Sequence, residues 1–403
     1  MSRLSVTEER GPGALASLRA EWQALFGRAQ SASAFLGWEW ISAWYSQLGQ
    51  GLTPRIFCAR SGGVLVGLLP LGEEHRGGRL GKRIRLLSFL GERFVGGDYL
   101  DVLAQRGAEY EAAAAIVEHL EREQSFDALR LDGIAGDSLS LPVLTSRFGE
   151  SKAYEHSLLP YEVCPYLQLR GSGEATVDAS RRAHEFRRKL RQMASLPGFS
   201  TAVVTRADEV PAALERFFML HDRRWAGQGG SDAMARPSVK AFHRDAVQKL
   251  AISGAVRFEE IWAEGRCVAS LYGIDRGERF FFYQCGYDPD WAKRSVGFVR
   301  LGLSIADAAD RGVKVYDFLR GSEAYKFDWA EGARTTLSVR ITSRSAAGRA
   351  FLAGENLRAA AKLTAKAILP MGAVDMIRRR RRREQRKEWP VPAGPVRAPV
   401  ERP

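Results

Sequence analysis

One segment, residues 279–329, constrains the fold more than any other part of the sequence. It begins with a strongly apolar stretch, Arg279–Gly286 (RFFFYQCG), passes through a loop at 287–297 and a helical stretch, and reaches a second apolar stretch at Lys314–Leu319. Short aromatic and β-branched runs bounded by glycine, proline or aspartate predict strands, and apolar residues three and four apart predict a helix. The segment therefore predicts a strand, a turn, a helix and a second strand in succession.

The turn before the helix has the composition of an anion-binding site. It reads Arg294-x-x-Gly297-x-Val299, with Lys293 and Ser295 beside Arg294. At the start of a helix the backbone N–H groups lack partners within the helix, and the helix dipole is positive there. A phosphate group is the ligand that such a turn favours.

The two halves of the chain are predicted to repeat one order of elements. In the first half, helical patterns at 15–26 and 38–48 precede short strands at 55–60, 64–71, 84–90 and 99–103, then a helix at Glu109–Glu123 and a strand at 128–132. The second half runs from a strand at 199–205 through helices at 208–225 and 237–252 to strands at 256–263, 267–275 and 279–286. A helix at 297–311, a strand at 313–319 and a closing strand at 335–342 follow. Two copies of an α-α-β-β-β-α-β unit predict a tandem mixed α/β fold.

Composition is that of a soluble globular protein, with 45% hydrophobic and 27% charged residues. The net charge of +13 is unevenly distributed, because 15 Lys and Arg but only 5 Asp and Glu follow Arg340, a net of +10. The body of the chain is thus close to neutral, and nucleic-acid binding by it is not expected.

The cysteines predict a reducing compartment. The four, Cys58, Cys164, Cys267 and Cys285, are scattered without C-x-x-C spacing or histidines at ligand spacing. Neither a disulfide framework nor a metal site is expected. The polar start of the chain and the lack of a long apolar run predict a cytoplasmic protein.

The Arg294-x-x-Gly297 turn resembles the pyrophosphate loop of the GNAT acyltransferases, which bind acyl-coenzyme A. This resemblance implies acetyl-CoA or another acyl-CoA as cosubstrate and no metal. Candidate coenzyme contacts lie at the end of the preceding strand and in the turn: Cys285, Gly286, Lys293, Arg294, Ser295, Val296 and Gly297. A β-bulge eased by Gly286 would free a backbone N–H for the thioester carbonyl.

Acyl transfer also needs an acid for the leaving thiolate and a base for the acceptor. Tyr325 is the candidate acid, because many GNAT enzymes place a tyrosine after the corresponding strand. The candidate bases are Glu323, Asp317 and His221, although Asp317 would also suit a turn cap and His221 a packed position in a helix. Substrate contacts are expected from Arg224, Trp225, Lys326 and Trp329.

The chain further resembles a bacterial acetyltransferase family linked to cellulose and exopolysaccharide biosynthesis (CelD-like), a FemAB-like branch of the GNAT superfamily. The resemblance covers about residues 10–345 and rests on these stretches: Phe35–Trp44 (FLGWEWISAW), Val66–Leu71 (VGLLPL), Gly97–Asp101 (GDYLD) and Tyr316–Trp329 (YDFLRGSEAYKFDW). It implies a transferase acting on a sugar, polysaccharide or envelope precursor.

The predicted domains are a degenerate GNAT-like domain at 1–150, a connecting strand and basic helix at 151–195, a GNAT acyltransferase domain at 196–345, and a tail at 346–403. The basic stretch Ser172–Ser195 reads either as a solvated helix face or as part of an anion site. In the tail, six arginines (Arg378–Arg383) precede a proline-rich end predicted to be disordered, and they suit either an anionic inner-membrane surface or a solubilising role.

Two other functions remain open from sequence. One is FemAB-type transfer from aminoacyl-tRNA, in which the basic helix and tail would bind RNA. The other is a non-catalytic GNAT-fold adaptor in exopolysaccharide assembly. The acceptor, the acyl chain and the oligomeric state are not specified by the sequence.

Overall fold

The computed structural model describes residues 4–29, 32–77, 83–226, 234, 236–355 and 357. The described residues divide into two compact units, one formed by those up to Cys164 together with residues 334–355, the other by those from Pro165 to Ala333. Within the described residues, no helix is long and apolar enough to cross a bilayer.

The first unit holds a mixed sheet covered by helices. Its strands, numbered along the chain, are β1 (Ser5–Arg10), β2 (Thr53–Ser61), β3 (Val64–Gly77), β4 (Arg83–Phe89), β5 (Leu103–Ala104), β6 (Ala128–Ala135), the start of β7 (Tyr154–Gln168) and β13 (Gly332–Ser343). Its helices are α1 (Ala14–Ser17), α2 (Arg19–Arg28), α3 (Trp38–Leu48), α4 (Glu109–Glu123) and α5 (Ser140–Glu150), with a 3-10 turn at Ala34–Leu36. The strand order is β1-β2-β3-β4-β6-β13-β7, and β5 pairs with β3.

The second unit has a sheet of order β7-β12-β11-β10-β9-β8, to which β7 contributes its last residues. The strands are β8 (Ser200–Val204), β9 (Val256–Ala263), β10 (Arg266–Arg276), β11 (Arg279–Tyr287) and β12 (Val315–Asp317). The helices are α6 (Gly173–Asp178), α7 (Ala183–Ala194), α8 (Val210–Ala226), α9 (Pro237–Ile252), α10 (Val296–Asp310) and α11 (Ala324–Phe327), with a 3-10 turn at Pro289–Arg294.

The same succession of elements appears in both units, which confirms the tandem GNAT-like prediction. The first runs β1, α2, α3, β2, β3, β4, α4, β6, and the second runs β8, α8, α9, β9, β10, β11, α10, β12. In each, the first four strands pair antiparallel in order, and the helix that follows the fourth leads to a parallel fifth strand. A helical crossover is what a parallel neighbour requires.

Some elements differ from the sequence predictions. A strand was expected at 99–103, but only Leu103–Ala104 pair, and Tyr99 has a positive φ of 57°. The basic stretch expected as one helix divides into α6 and α7. The strand β7 lies in the segment 151–195, for which a connecting strand and a basic helix are predicted, and it contains Pro160 and Pro165, a residue type that usually disfavours strands.

The tail predictions fall mostly outside the described residues. Residues 346–355, the start of an Ala/Leu/Lys-rich stretch (346–368) whose composition predicts a helix, are helical. Arg378–Arg383 and the proline-rich end lie outside the part of the chain that the structure describes.

Candidate functional site

Strands β11 and β12 of the second unit separate part-way along β11. They pair in parallel from Arg279 with Val315 to Phe281 with Asp317, and β11 then continues to Tyr287 after β12 has ended. The later half of β11 therefore has one edge that β12 does not cover. Such an edge presents backbone N–H and C=O groups to a ligand or to side chains.

Helix α10 begins beside the end of β11, and its first backbone N–H groups have no partner within the helix. Ser295 precedes it in the left-handed region with a φ of 58°, and no side chain among the described residues caps the helix. The Val299 N–H donates to Ser295 O at 3.0 Å. The N–H groups of Val296, Gly297 and Phe298 precede that bond and cannot pair within the helix. These three donors, with the positive end of the dipole, suit a phosphate.

A chain of contacts leads from this helix start to Arg224. A Cβ on Gly297 would lie 3.0 Å from Tyr287 Cδ1, so Gly297 lets the tyrosine ring lie against the turn. The Arg224 guanidinium, reaching from α8, lies 4.8 Å from the centre of the Tyr287 ring and donates to Cys285 O at 2.8 Å. Arg224 thus binds the edge of β11 that β12 leaves uncovered.

The positive charge of Arg224 also acts on the Tyr325 hydroxyl. The Tyr325 ring lies 6.4 Å from that of Phe282 on β11. Burial, together with the negative charge of Glu323, raises the pKa of Tyr325, and Arg224 opposes this shift. The hydroxyl therefore keeps its proton at neutral pH.

The β-bulge lies at Tyr283 and not, as predicted, at Cys285 and Gly286. Gln284 pairs with Tyr272 and Phe282 with Gly273, so Tyr283 is the extra residue. Gly286 has another role, because a Cβ there would lie 2.6 Å from His221 N on the backbone of α8. The thiol of Cys285 is buried, and burial raises its pKa.

The charged residues of the turn face solvent. Arg294 lies 4.4 Å over the buried Trp291 ring and pairs with Glu264 at 3.2 Å, while about half of each charged side chain remains exposed. Lys293 is exposed as well. Both cations flank the start of α10 and are able to reorient toward an anion.

The segment after β12 is held by Lys326. Its buried ammonium donates to Arg320 O at 2.5 Å and pairs with Glu323 at 3.1 Å. A Cβ on Gly321, whose φ is 122°, would lie 2.2 Å from Glu323 Oε2. Lys326 and Glu323 therefore fix the turn that carries Tyr325, and their predicted contacts with substrate and acceptor stay predictions.

The other predicted residues lie around this centre. Asp317 is buried and accepts from Leu319 N–H at 2.9 Å, as a turn cap does. His221 is fully buried, with no hydrogen-bond partner for either ring nitrogen among the described residues. Trp225 lies 5.3 Å from the Arg224 guanidinium. Trp329 packs on Phe298 and lines a cavity of 290 Å³.

Helix α7 packs beside the start of α10. Phe186, Leu190 and Met193 form its apolar side, and a Cβ on Gly302 of α10 would lie 2.3 Å from the Phe186 ring. Arg188 and Arg191 remain exposed. This placement agrees with both interpretations of the basic stretch, a solvated helix face and a part of an anion site.

Sequence reasoning missed Tyr287, Tyr283 and His243. The first two lie in the apolar strand, where aromatic residues are ordinarily packing residues. Their contacts join residues far apart in sequence, and no local pattern marks them. Groups of three or more His, Cys, Asp or Glu side chains able to hold a metal do not occur in the described parts of the chain.

Residues 180–327 match the family model described as an acetyltransferase (GNAT) domain. The match places a GNAT acetyltransferase domain in the second unit. It contains the separation of β11 and β12, the start of α10, Arg224 and Tyr325. No curated protein matches the chain by sequence.

Solved structures show the same fold at low identity. FemX superposes with a TM-score of 0.54 and 13% identity, over 80% of this chain and 95% of its own. The C-terminal domain of a candidate lysylphosphatidylglycerol synthetase from Agrobacterium fabrum superposes with a TM-score of 0.52 and 9% identity, over 85% of this chain and 96% of that domain. A tandem GNAT protein from the clavulanic acid pathway is less similar, with a TM-score of 0.43, 11% identity and coverage of 83% and 98%.

Proposed function

We propose that the protein is an acyltransferase that takes its acyl group from acyl-coenzyme A. The observation that carries this proposal is the Arg224–Tyr325 pair beside the uncovered edge of β11, next to the uncapped start of α10. The acceptor would be a hydroxyl or amino group of a sugar or an envelope precursor, as the resemblance of residues 10–345 implies.

The start of α10 fits the pyrophosphate of the coenzyme. Three backbone N–H groups point out of the helix there, and its first turn carries no acidic residue. The corresponding helix of the first unit, α4, has Glu109 and Glu111 in its first turn, and Glu109 Oε2 accepts from Gly107 N–H. Those carboxylates would repel a phosphate, so we assign coenzyme binding to the second unit alone.

Tyr325 would act on the leaving sulfur. Because its pKa is raised, its hydroxyl holds its proton and can donate a hydrogen bond as negative charge develops on the sulfur. Complete proton transfer would be uphill, since an alkyl thiol has a pKa of about 8.5. Arg224 adds positive charge at the same place and holds Tyr325 against β11.

Transfer from aminoacyl-tRNA is the second candidate. It is favoured by the likeness in fold to FemX and by the exposed Arg188 and Arg191 of α7. In that case the basic residues would contact RNA phosphates. A non-catalytic adaptor is the third candidate, and the membrane contact through Arg378–Arg383 remains a proposal for the tail.

A thermal-shift panel separates these candidates. Acetyl-coenzyme A, longer acyl-coenzymes, free coenzyme A and aminoacyl-tRNA would each be added to the full chain. A ligand at a hundredfold excess over its Kd stabilises the folded state by about 2.7 kcal/mol. We expect a rise in melting temperature with the coenzymes. A rise with tRNA alone would favour the second candidate, and no rise with any coenzyme would overturn the proposal.

A further inference from the structure

Tyr283 lies on the face of the second unit's sheet opposite Tyr325. Its neighbour Phe282 contacts Tyr325 and Phe318 on one face, with ring centres 6.4 and 6.2 Å away. Tyr283, the next residue along β11, points to the other face, which α8 and α9 cover, and its hydroxyl lies 3.5 Å from His243 Nε2 on α9. Both tyrosines therefore flank the half of β11 that β12 leaves uncovered.

Aromatic rings hold the Tyr283–His243 pair in place. The Tyr272 ring lies 5.0 Å from Tyr283 and 5.8 Å from His243, and it stacks on Phe258 at 4.9 Å. Phe242 lies 4.6 Å from His243. Tyr272 and His243 are fully buried, whereas Tyr283 is partly exposed. Of these three residues, Tyr283 is therefore the one that reaches the surface.

The protonation state of His243 bears on which atom of the Tyr283–His243 pair donates the hydrogen bond and which accepts it. Burial, with a smaller contribution from His221, lowers the pKa of His243 to about 3. The imidazole is neutral at physiological pH, so one of its ring nitrogens accepts a hydrogen bond. With the Tyr283 O–H directed at Nε2, the phenolic oxygen can accept from an O–H or N–H group. The same low pKa means that His243 is not suited to remove a proton.

We propose that Tyr283 binds the nucleophilic hydroxyl or amine of the acceptor on the α8–α9 face, and that His243 is the positioning residue that orients Tyr283. This inference rests on the proposed function and assigns the side from which the acceptor approaches. The coenzyme would lie along the start of α10 and Tyr325, and the acceptor would meet the acyl group at the uncovered half of β11.

The test uses acetyl-coenzyme A as donor, with glucosamine as the amine probe and glucose as the hydroxyl probe. Release of the thiol is followed for the full-length protein and for Tyr283→Phe, His243→Gln, His243→Phe and Tyr272→Phe. Gln retains an acceptor near the position of Nε2, and Phe does not. Tyr272→Phe is the matched control, because it removes a neighbouring hydroxyl that has no hydrogen-bond partner among the described residues.

We expect Tyr283→Phe and His243→Phe to raise KM for the reactive probe about 5- to 20-fold, as the loss of one hydrogen bond implies. His243→Gln should stay within about threefold of the wild type, Tyr272→Phe should match it, and coenzyme affinity should be unchanged in all four. The pair acts as a unit, so Tyr283→Phe with His243→Phe should be no worse than either alone.

Three results would overturn the inference while the coenzyme site stands. They are an unchanged KM in Tyr283→Phe, an equal defect in Tyr272→Phe, and no acetylation of either probe although coenzyme A raises the melting temperature. Failure of the wild type to respond to coenzyme A would instead overturn the proposed function, and this inference with it.

Discussion

Replacing Gly286 with alanine tests how closely α8 packs on β11. A Cβ at this position would lie 2.6 Å from His221 N and 3.0 Å from Leu220 C, both backbone atoms of α8. Contacts this short force the helix away from the strand, and overpacking of this kind typically costs about 1–3 kcal/mol. Arg224 lies one turn further along α8, so its contacts with Cys285 O and Tyr325 should weaken as well.

The assay measures the melting temperature of the full chain without and with the coenzyme. The first value gives the stability of the variant, and the difference between the two gives its stabilisation by the coenzyme. For a domain of 150–250 residues, about 2 kcal/mol corresponds to a fall of about 4–8 °C in melting temperature. Gly27→Ala is the matched control, because outside the backbone of helix α2 itself no described atom would lie within 4 Å of the added Cβ. That change should stabilise by about 0.5–1 kcal/mol. A Gly286→Ala protein as stable as the wild type would refute the packing argument.

Three further predictions concern the reaction and the tail. Tyr325→Phe should lower kcat by about 10²-fold or more with little change in coenzyme affinity, because the hydrogen bond from the Tyr325 hydroxyl strengthens in the transition state. An unchanged kcat would mean that Tyr325 serves only in packing. Since burial raises the pKa of Tyr325, its protonated form persists above the usual value of about 10. Deprotonation of Tyr325 should therefore not reduce the activity below about pH 10. A loss of activity near pH 9 that disappears in Tyr325→Phe would contradict this. Deleting residues 371–403 should leave the melting temperature and coenzyme binding unchanged but reduce salt-sensitive binding to anionic vesicles, and equal binding at low salt would exclude a membrane role for the arginines.

Much of the second unit could be predicted from sequence because its signals are local. The bounds of α9 and β9 match the prediction, β11 ends one residue later than predicted, and α10 begins and ends one residue earlier than predicted. Periodic apolar residues bounded by glycine and proline define such elements without reference to the rest of the chain.

The site was less predictable because it depends on contacts between distant segments. Arg224 and Tyr325 are brought together only when α8 packs on β11, which in turn requires a glycine at 286. From the sequence, Gly286 is recognisable only as a residue with wide freedom in its backbone conformation. The close approach of α8 and the position of the bulge follow from tertiary packing. Tyr283 and His243 are joined in the same way, across β11 and α9.

Binding of acetyl-coenzyme A to Gly297 variants tests the central claim most directly. Isothermal titration would compare the wild type, Gly297→Ala and Gly297→Asp, which share the contact of an added Cβ with Tyr287 at 3.0 Å. An aspartate also places a carboxylate at the donors of α10, which suits the helix dipole but repels a phosphate. We expect Gly297→Asp to melt near the wild-type temperature. It should nevertheless bind acetyl-coenzyme A at least tenfold more weakly than Gly297→Ala does, a difference in binding free energy of about 1.4 kcal/mol. Equal affinity of the two variants, or no binding by the wild type, would contradict a coenzyme site at the start of α10.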